Sequence, residues 1–137
     1  MSTEQQWKVI FHDDFDPEFD GFSEDVQDQL LATAKAVERL GPQAERPLVG
    51  TLVNAKHPNM KELIFKANNG SEIWRAAFAF DPNRQAIVLV AADKQGVDEK
   101  KFYKDLLKKA NDRFDRHLSE LKALEAAKKA KGGKGKK

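Results

Sequence analysis

Residues 59–94 read NMKELIFKANNGSEIWRAAFAFDPNRQAIVLVAADK, and this stretch decides the fold. Three apolar runs of strand length are separated by two turn signals. Asn68-Asn69-Gly70 supplies residues that tolerate positive φ, as a tight hairpin requires. Asp81-Pro82-Asn83 suits a type I turn, with Pro fixing φ at its second position. The pattern predicts an antiparallel three-strand meander over 61–67, 73–80 and 86–92. Along the middle run, one face holds Trp74, Ala76, Phe78 and Phe80 and can fill a core. The other holds Ile73, Arg75, Ala77 and Ala79, a cation beside two small side chains. That low surface could be the floor of a cleft. Read blandly, Arg75 pairs with Glu62 or Asp93, or snorkels from the sheet.

Upstream, Trp7–His12 is a short strand candidate. The acidic segment Asp13–Asp20 interleaves Phe15 and Phe19, a spacing that allows one or two helical turns with an aromatic edge on the core. Its acids lack the Gly and terminal Glu of a calcium loop. Ser23 is a good N-cap, and Val26, Leu30, Ala34, Val37 and Leu40 then mark one helical face, stopped by Gly41-Pro42. Residues 51–53 could add an edge strand. Downstream, Asp98 can cap a long helix with Phe102, Leu106, Ala110, Phe114, Leu118 and Leu121 along one stripe and Tyr103, Leu107 and His117 beside it. Lys100, Lys101, Lys104, Lys108 and Lys109 populate its remaining face. The helix is expected to fray beyond Leu124 into a disordered Lys-rich end. The chain thus reads as a small α+β domain over 1–121, two N-terminal helices and a long C-terminal helix packed on an antiparallel meander, with a Lys-rich helical extension and disordered tail over 122–137.

At 137 residues the chain can bury a core without metals or disulfides, and it has no cysteine. No apolar run reaches membrane-spanning length and no basic-then-apolar leader is seen, so a cytoplasmic protein is expected. The net charge of +2 hides a split. Residues 1–28 hold nine carboxylates and one cation, and the remainder holds 23 cations against 13 carboxylates. Polyanion binding would have to come from local clustering and from the end of the chain.

The runs Lys56-His57-Pro58-Asn59-Met60-Lys61-Glu62-Leu63, Trp74-Arg75-Ala76-Ala77-Phe78-Ala79-Phe80-Asp81-Pro82, Ala92-Asp93-Lys94, Phe102-Tyr103 and Ala110-Asn111-Asp112-Arg113 resemble the RelE/ParE toxin superfamily, closest to its HigB-like, phage Gp49-like branch. The resemblance spans roughly Trp7 to Leu121. It implies a RelE-like fold and the toxin of a type II toxin–antitoxin module that cleaves mRNA on translating ribosomes. No metal or other cofactor is implied, and the implied partners are mRNA, the ribosome and an antitoxin, often a helix-turn-helix protein. The matching catalytic positions are Lys61, Arg75 and Lys94, with His57 and Tyr103 beside them. Lys56, Lys100, Lys101 and Lys104 would bind RNA. Many members carry a catalytic Tyr or His after the last strand, where this chain runs into a long helix.

Metal-free RNA cleavage needs a proton acceptor for the 2′-hydroxyl, a cation for the phosphorane and a donor for the 5′-oxygen. Arg75 suits the phosphate, because its fork binds two oxygens and stays charged. Lys61 and Lys94 are acid or base candidates. His57 titrates near neutral pH and is the conventional base, or else a surface loop residue. Tyr103 could stack on a base or supply a proton, or edge the core. Two other readings share the fold: a ParE-like toxin that blocks gyrase by binding, and a non-catalytic nucleic-acid- or partner-binding descendant.

Overall fold

The meander forms where its turn residues place it. The computed structural model describes residues 7–135, with side chains from Trp7 to Ala130. In chain order the elements are β1 (Lys8–Phe11), α1 (Asp16–Asp20), α2 (Glu24–Leu40), β2 (Val49–Thr51), β3 (Met60–Ala67), β4 (Glu72–Phe80), β5 (Gln85–Asp93) and α3 (Glu99–Gly135). Asn68, Asn69 and Gly70 have φ of 54°, 62° and 81°, so the β3–β4 hairpin uses the left-handed conformations these residues accept. In the β4–β5 turn, the Asp81 carboxylate accepts from the amides of Asn83 and Gln85 at 2.8 and 3.0 Å.

The sheet order is β1-β5-β4-β3-β2. β2 through β5 are antiparallel, as expected of the meander, and the sheet is mixed because β1 pairs parallel with β5. The edge strand lies at Val49–Thr51 rather than 51–53, because Leu52 turns off to bury itself on the α3 side. The two faces of β4 divide as its alternation requires. Ala76, Phe78 and Phe80 bury against α2 residues Val26, Leu30 and Val37, and Phe15 joins them through edge contacts with Phe11 and Phe22. Ala77 and Ala79 lie under Phe102, Leu106, Ala110 and Phe114 of α3. The low surface beside Arg75 is therefore roofed by a helix over most of its length, and only the Arg75 end remains open.

A bulge in β5 tunes this second face. Ala77 pairs with Val90 and Phe78 with Val88, so Leu89 is the extra residue. Leu89 and Val90 both reach the α3 side. Arg113 of α3 donates from Nη1 to the Leu89 carbonyl at 2.7 Å and forks onto Glu18 at 2.9 and 2.6 Å. Arg116 pairs with Asp14. Two acids of the N-terminal segment, Asp14 and Glu18, thus clamp α3, and among the described residues no group of three or more His, Cys, Asp or Glu is placed to hold a metal ion.

The C-terminal helix runs on further than the expected fraying point. Leu118 is the last α3 side chain packed on the core, yet the helix continues to Gly135 instead of fraying beyond Leu124. Alanine and lysine over residues 126–131 are strong helix formers, whereas Gly132, Gly133 and Gly135 are not, so propensity accounts for the first part of this extension only. Lys136 and Lys137, the end of the expected disordered segment, lie outside the described residues. No helix among the described residues is long and apolar enough to cross a membrane.

Candidate functional site

Arg75 stands on β4 where the α3 roof begins. Ile64 is its cross-strand partner on β3 and Ala92 on β5. Its Nη1 lies 3.6 Å from Glu62 Oε2, and its Nε is buried without a hydrogen-bond partner. Glu62 is only 3% exposed. Its other oxygen accepts a 2.9 Å hydrogen bond from the Tyr103 hydroxyl, near the start of α3. Burial, and then the bond to Glu62, push the Tyr103 phenol up to about 12, so it is protonated at neutral pH. Lys94, leaving β5, sits 5.7 Å from the centre of the Tyr103 ring and pairs with Glu99 at 2.9 Å. Arg75 and Tyr103 therefore meet at the Glu62 carboxylate, with Lys94 beside the Tyr103 ring and held by Glu99.

Two concavities open from this cluster. Arg75 and Lys94 line a pocket of 360 Å³ with Gly70, Ser71 and Gln95. Glu62 and Tyr103 line a groove of 870 Å³ between α3 and the segment after β2. The groove is edged by Arg46, Lys100, Lys104 and Lys108. The three lysines are four residues apart, hence about 6 Å apart along one helix face. At its base, a Cβ on Gly50 would stand 3.1 Å from Arg46 Nη2 and 3.2 Å from Glu62 Oε2. Glycine at this position lets a second guanidinium reach the neighbourhood of Glu62.

Other expected residues lie elsewhere. Lys61 pairs across to Phe78, on the α2 side of the sheet, because neighbours in a strand point to opposite faces. It lines a different groove with residues 42–46. His57 binds Asp115 at 2.8 Å and sets its ring edge-on against Phe114. Lys56 takes the other Asp115 oxygen at 2.8 Å. Lys56 is first among the causes that hold the Asp115 carboxyl below its ordinary value, and His57 adds to it. Asp115 is twelve positions beyond Tyr103, about 18 Å along the helix, so the 56–57 loop is pinned far from Arg75. Lys101 pairs with Asp105 at 3.1 Å and does not line the groove.

Sequence reasoning named Arg75, Lys94, Tyr103, Lys100 and Lys104 as site candidates and Lys108 as part of the cationic helix face, without placing them together. It reached Glu62 only as a partner for Arg75, and it missed Arg46. The signal for Glu62 was available: alternation puts it on the face of Met60 and Ile64, under the helix. Arg46 had no local signal, since its approach depends on Gly50.

Residues 17–115 match the family described as phage-derived protein Gp49-like. The chain belongs to this family. Every residue of the Arg75 cluster falls within the matched Gp49-like segment, and so does the lysine stripe. The candidate toxin HigB2 of Mycobacterium tuberculosis is 37% identical over 101 residues, which cover 74% of this chain and 49% of that protein. The chain thus matches about half the length of that relative. The candidate toxin HigB3 of the same organism is 34% identical over 101 residues, covering 74% of this chain and 84% of that one. Among solved structures, a free Escherichia coli toxin RelE carrying two arginine-to-alanine substitutions superposes with a TM-score of 0.55. The overlap covers 76% of this chain and 96% of that one at 14% identity. The Gp49-like chain has the RelE fold.

Proposed function

We propose that this Gp49-like chain is the toxin of a type II toxin–antitoxin pair and an mRNA endoribonuclease that acts on translating ribosomes in the cytoplasm. The observation that carries the reading is the grouping of three side chains, Arg75 and Lys94 lining one pocket and Tyr103, beside Lys94, lining the lysine-edged groove. Cleavage by the adjacent 2′-hydroxyl needs positioned cations and no metal. Arg75 binds the scissile phosphate, and its loose contact to Glu62 leaves terminal guanidinium donors to spare. The Lys94 ammonium protonates the departing 5′-oxygen. Lys100, Lys104 and Lys108 supply sequence-independent attraction to the RNA strand, with Arg46 opposite. HigB relatives support a cognate antitoxin partner, and a helix-turn-helix protein is the type proposed for it.

The test is 5′-end mapping of a reporter mRNA in a translation extract, with and without ribosomes. New ends inside the reading frame that require ribosomes are expected, and Arg75→Ala abolishes both these ends and growth arrest. A folded Arg75→Ala protein that still arrests growth refutes the site.

One observation favours a second reading. All three histidines are engaged away from Arg75: His57 with Asp115, His117 with Asp81, and His12 with the Asp14 amide. A site without an imidazole suits a ParE-like toxin that blocks gyrase by binding. Inhibited supercoiling with intact mRNA would establish that alternative.

A further inference from the structure

The cluster around Arg75 holds one charged group that the cleavage chemistry above leaves unused. Glu62 is almost wholly buried, and a buried carboxylate is retained at a cost unless its neighbours use it. Its two oxygens divide between the two parts of the site, Oε2 toward Arg75 and Oε1 on the Tyr103 hydroxyl. The phenol is half-buried and lines the groove, so its oxygen keeps a lone pair for a molecule lying there while its proton points at Glu62. On the endoribonuclease reading, on which this rests, a 2′-hydroxyl in the groove needs a proton acceptor. His57 and Lys61 are both elsewhere.

We propose that Glu62 is the proton sink of the reaction, acting through Tyr103. The 2′-hydroxyl gives its proton to the Tyr103 oxygen as Tyr103 passes its own proton to Glu62 Oε1. Tyr103 remains a neutral phenol throughout. The O2′–P bond forms and the P–O5′ bond breaks, leaving a 2′,3′-cyclic phosphate on one fragment. The 5′-oxygen takes a proton from Lys94. Neutral Lys94 and protonated Glu62 then exchange with solvent, and the site is reset. The elevated phenol pKa fits this arrangement: tyrosinate itself is no base at neutral pH, whereas a transfer that never forms tyrosinate avoids that barrier. Glu62 does not touch the RNA, so it is a positioning residue and relay end. Tyr103 is the catalytic residue.

The experiment uses the full chain on ribosomes programmed with a reporter mRNA, at saturating ribosome. Glu62→Gln keeps the volume and a carbonyl oxygen for the Tyr103 proton but cannot accept that proton. Its expected cleavage rate falls by about 10²–10⁴-fold, with the half-saturating ribosome concentration changed less than threefold. Tyr103→Phe loses a comparable factor. The double variant is no slower than the worse single one, because the two residues act as a unit. Glu62→Asp recovers part of the loss. Tyr103 is the only tyrosine in the chain, so the ultraviolet absorbance of its phenolate reports the contact directly. Its titration moves down toward the ordinary value of about 10 in Glu62→Gln. Cleavage by Glu62→Gln or by Tyr103→Phe within threefold of wild type overturns the relay, as do multiplicative losses in the double variant. Should Glu62→Gln fail to fold, Tyr103→Phe, which deletes one hydroxyl, decides alone. If the unaltered protein cuts no RNA with ribosomes present, the endoribonuclease reading fails and the relay falls with it. If it cuts and the variants cut as well, only the relay fails.

Discussion

Glu18→Gln removes one charge from the clamp that holds α3 over the sheet. Arg113 is 8% exposed, and its fork spans both Glu18 oxygens and the Leu89 carbonyl. The variant leaves the guanidinium buried with the carbonyl and one neutral amide. Breaking a fully buried pair from one side costs about 3–5 kcal/mol. The Glu18 side chain is 35% exposed, so water offsets part of that loss, and about 2 kcal/mol is the expected cost at pH 7. For a chain of this size that is a drop in Tm of about 6–8 °C. The pH dependence separates charge from packing. The hydrogen bond from Arg113 holds the Glu18 carboxyl below its ordinary value of 4.5. A depressed folded pKa means the stabilisation is complete above the unfolded value and is lost as pH falls through the folded one. The gap between wild type and Glu18→Gln, followed by urea unfolding, should therefore be widest at neutral pH and close as the pH falls below the ordinary value of 4.5. A gap equally wide in acid would show that the cost came from lost packing. A gap under about 0.5 kcal/mol at pH 7 would refute the clamp.

Further outcomes follow from the same geometry. Gly41 has φ +60°, and a Cβ there would stand 2.5 Å from Trp7 Cδ1. Gly41→Ala should cost about 2–3 kcal/mol in urea unfolding and perturb tryptophan fluorescence. Replacing Lys100, Lys104 and Lys108 together by Gln should lower the slope of log affinity against log salt for single-stranded RNA by about 2. Lys101→Gln, outside the groove lining and paired with Asp105, should leave that slope unchanged.

The fold was largely legible because its signals are local. Two turns with unmistakable chemistry, Asn68-Asn69-Gly70 and Asp81-Pro82-Asn83, bracket the central strand and fix the meander. The Ser23 side chain accepts from the Val26 amide at 3.4 Å and Asp98 Oδ2 from the Lys101 amide at 3.1 Å, so both helix starts sit where their caps do. What sequence pattern did not reveal was non-local. The parallel pairing of β1 with β5 depends on a return across the sheet, and nothing in Trp7–His12 encodes which edge it joins. The bulge at Leu89 is equally silent, since a run of Ile, Val, Leu and Val reads the same whichever face each side chain takes.

The site divides along the same line, and the division turns on parity. Lys61 and Glu62 are adjacent, so β3 can present only one of them to Arg75. Pairing Lys61 with the Arg75 face would require slipping β3 by one residue. That slip would carry Met60 and Ile64 out of the α3-side layer, Leu63 and Phe65 out of the α2-side core, and Glu62 into that core. There it would face Val26, Leu30 and Phe78, none of which can pair with a carboxylate. The present register instead gives Glu62 both a guanidinium and a phenol. Glu62 thus helps to select the strand register that assembles the cluster, and the same burial that made it easy to overlook as a site residue is what fixes Arg75 and Tyr103 in contact with it.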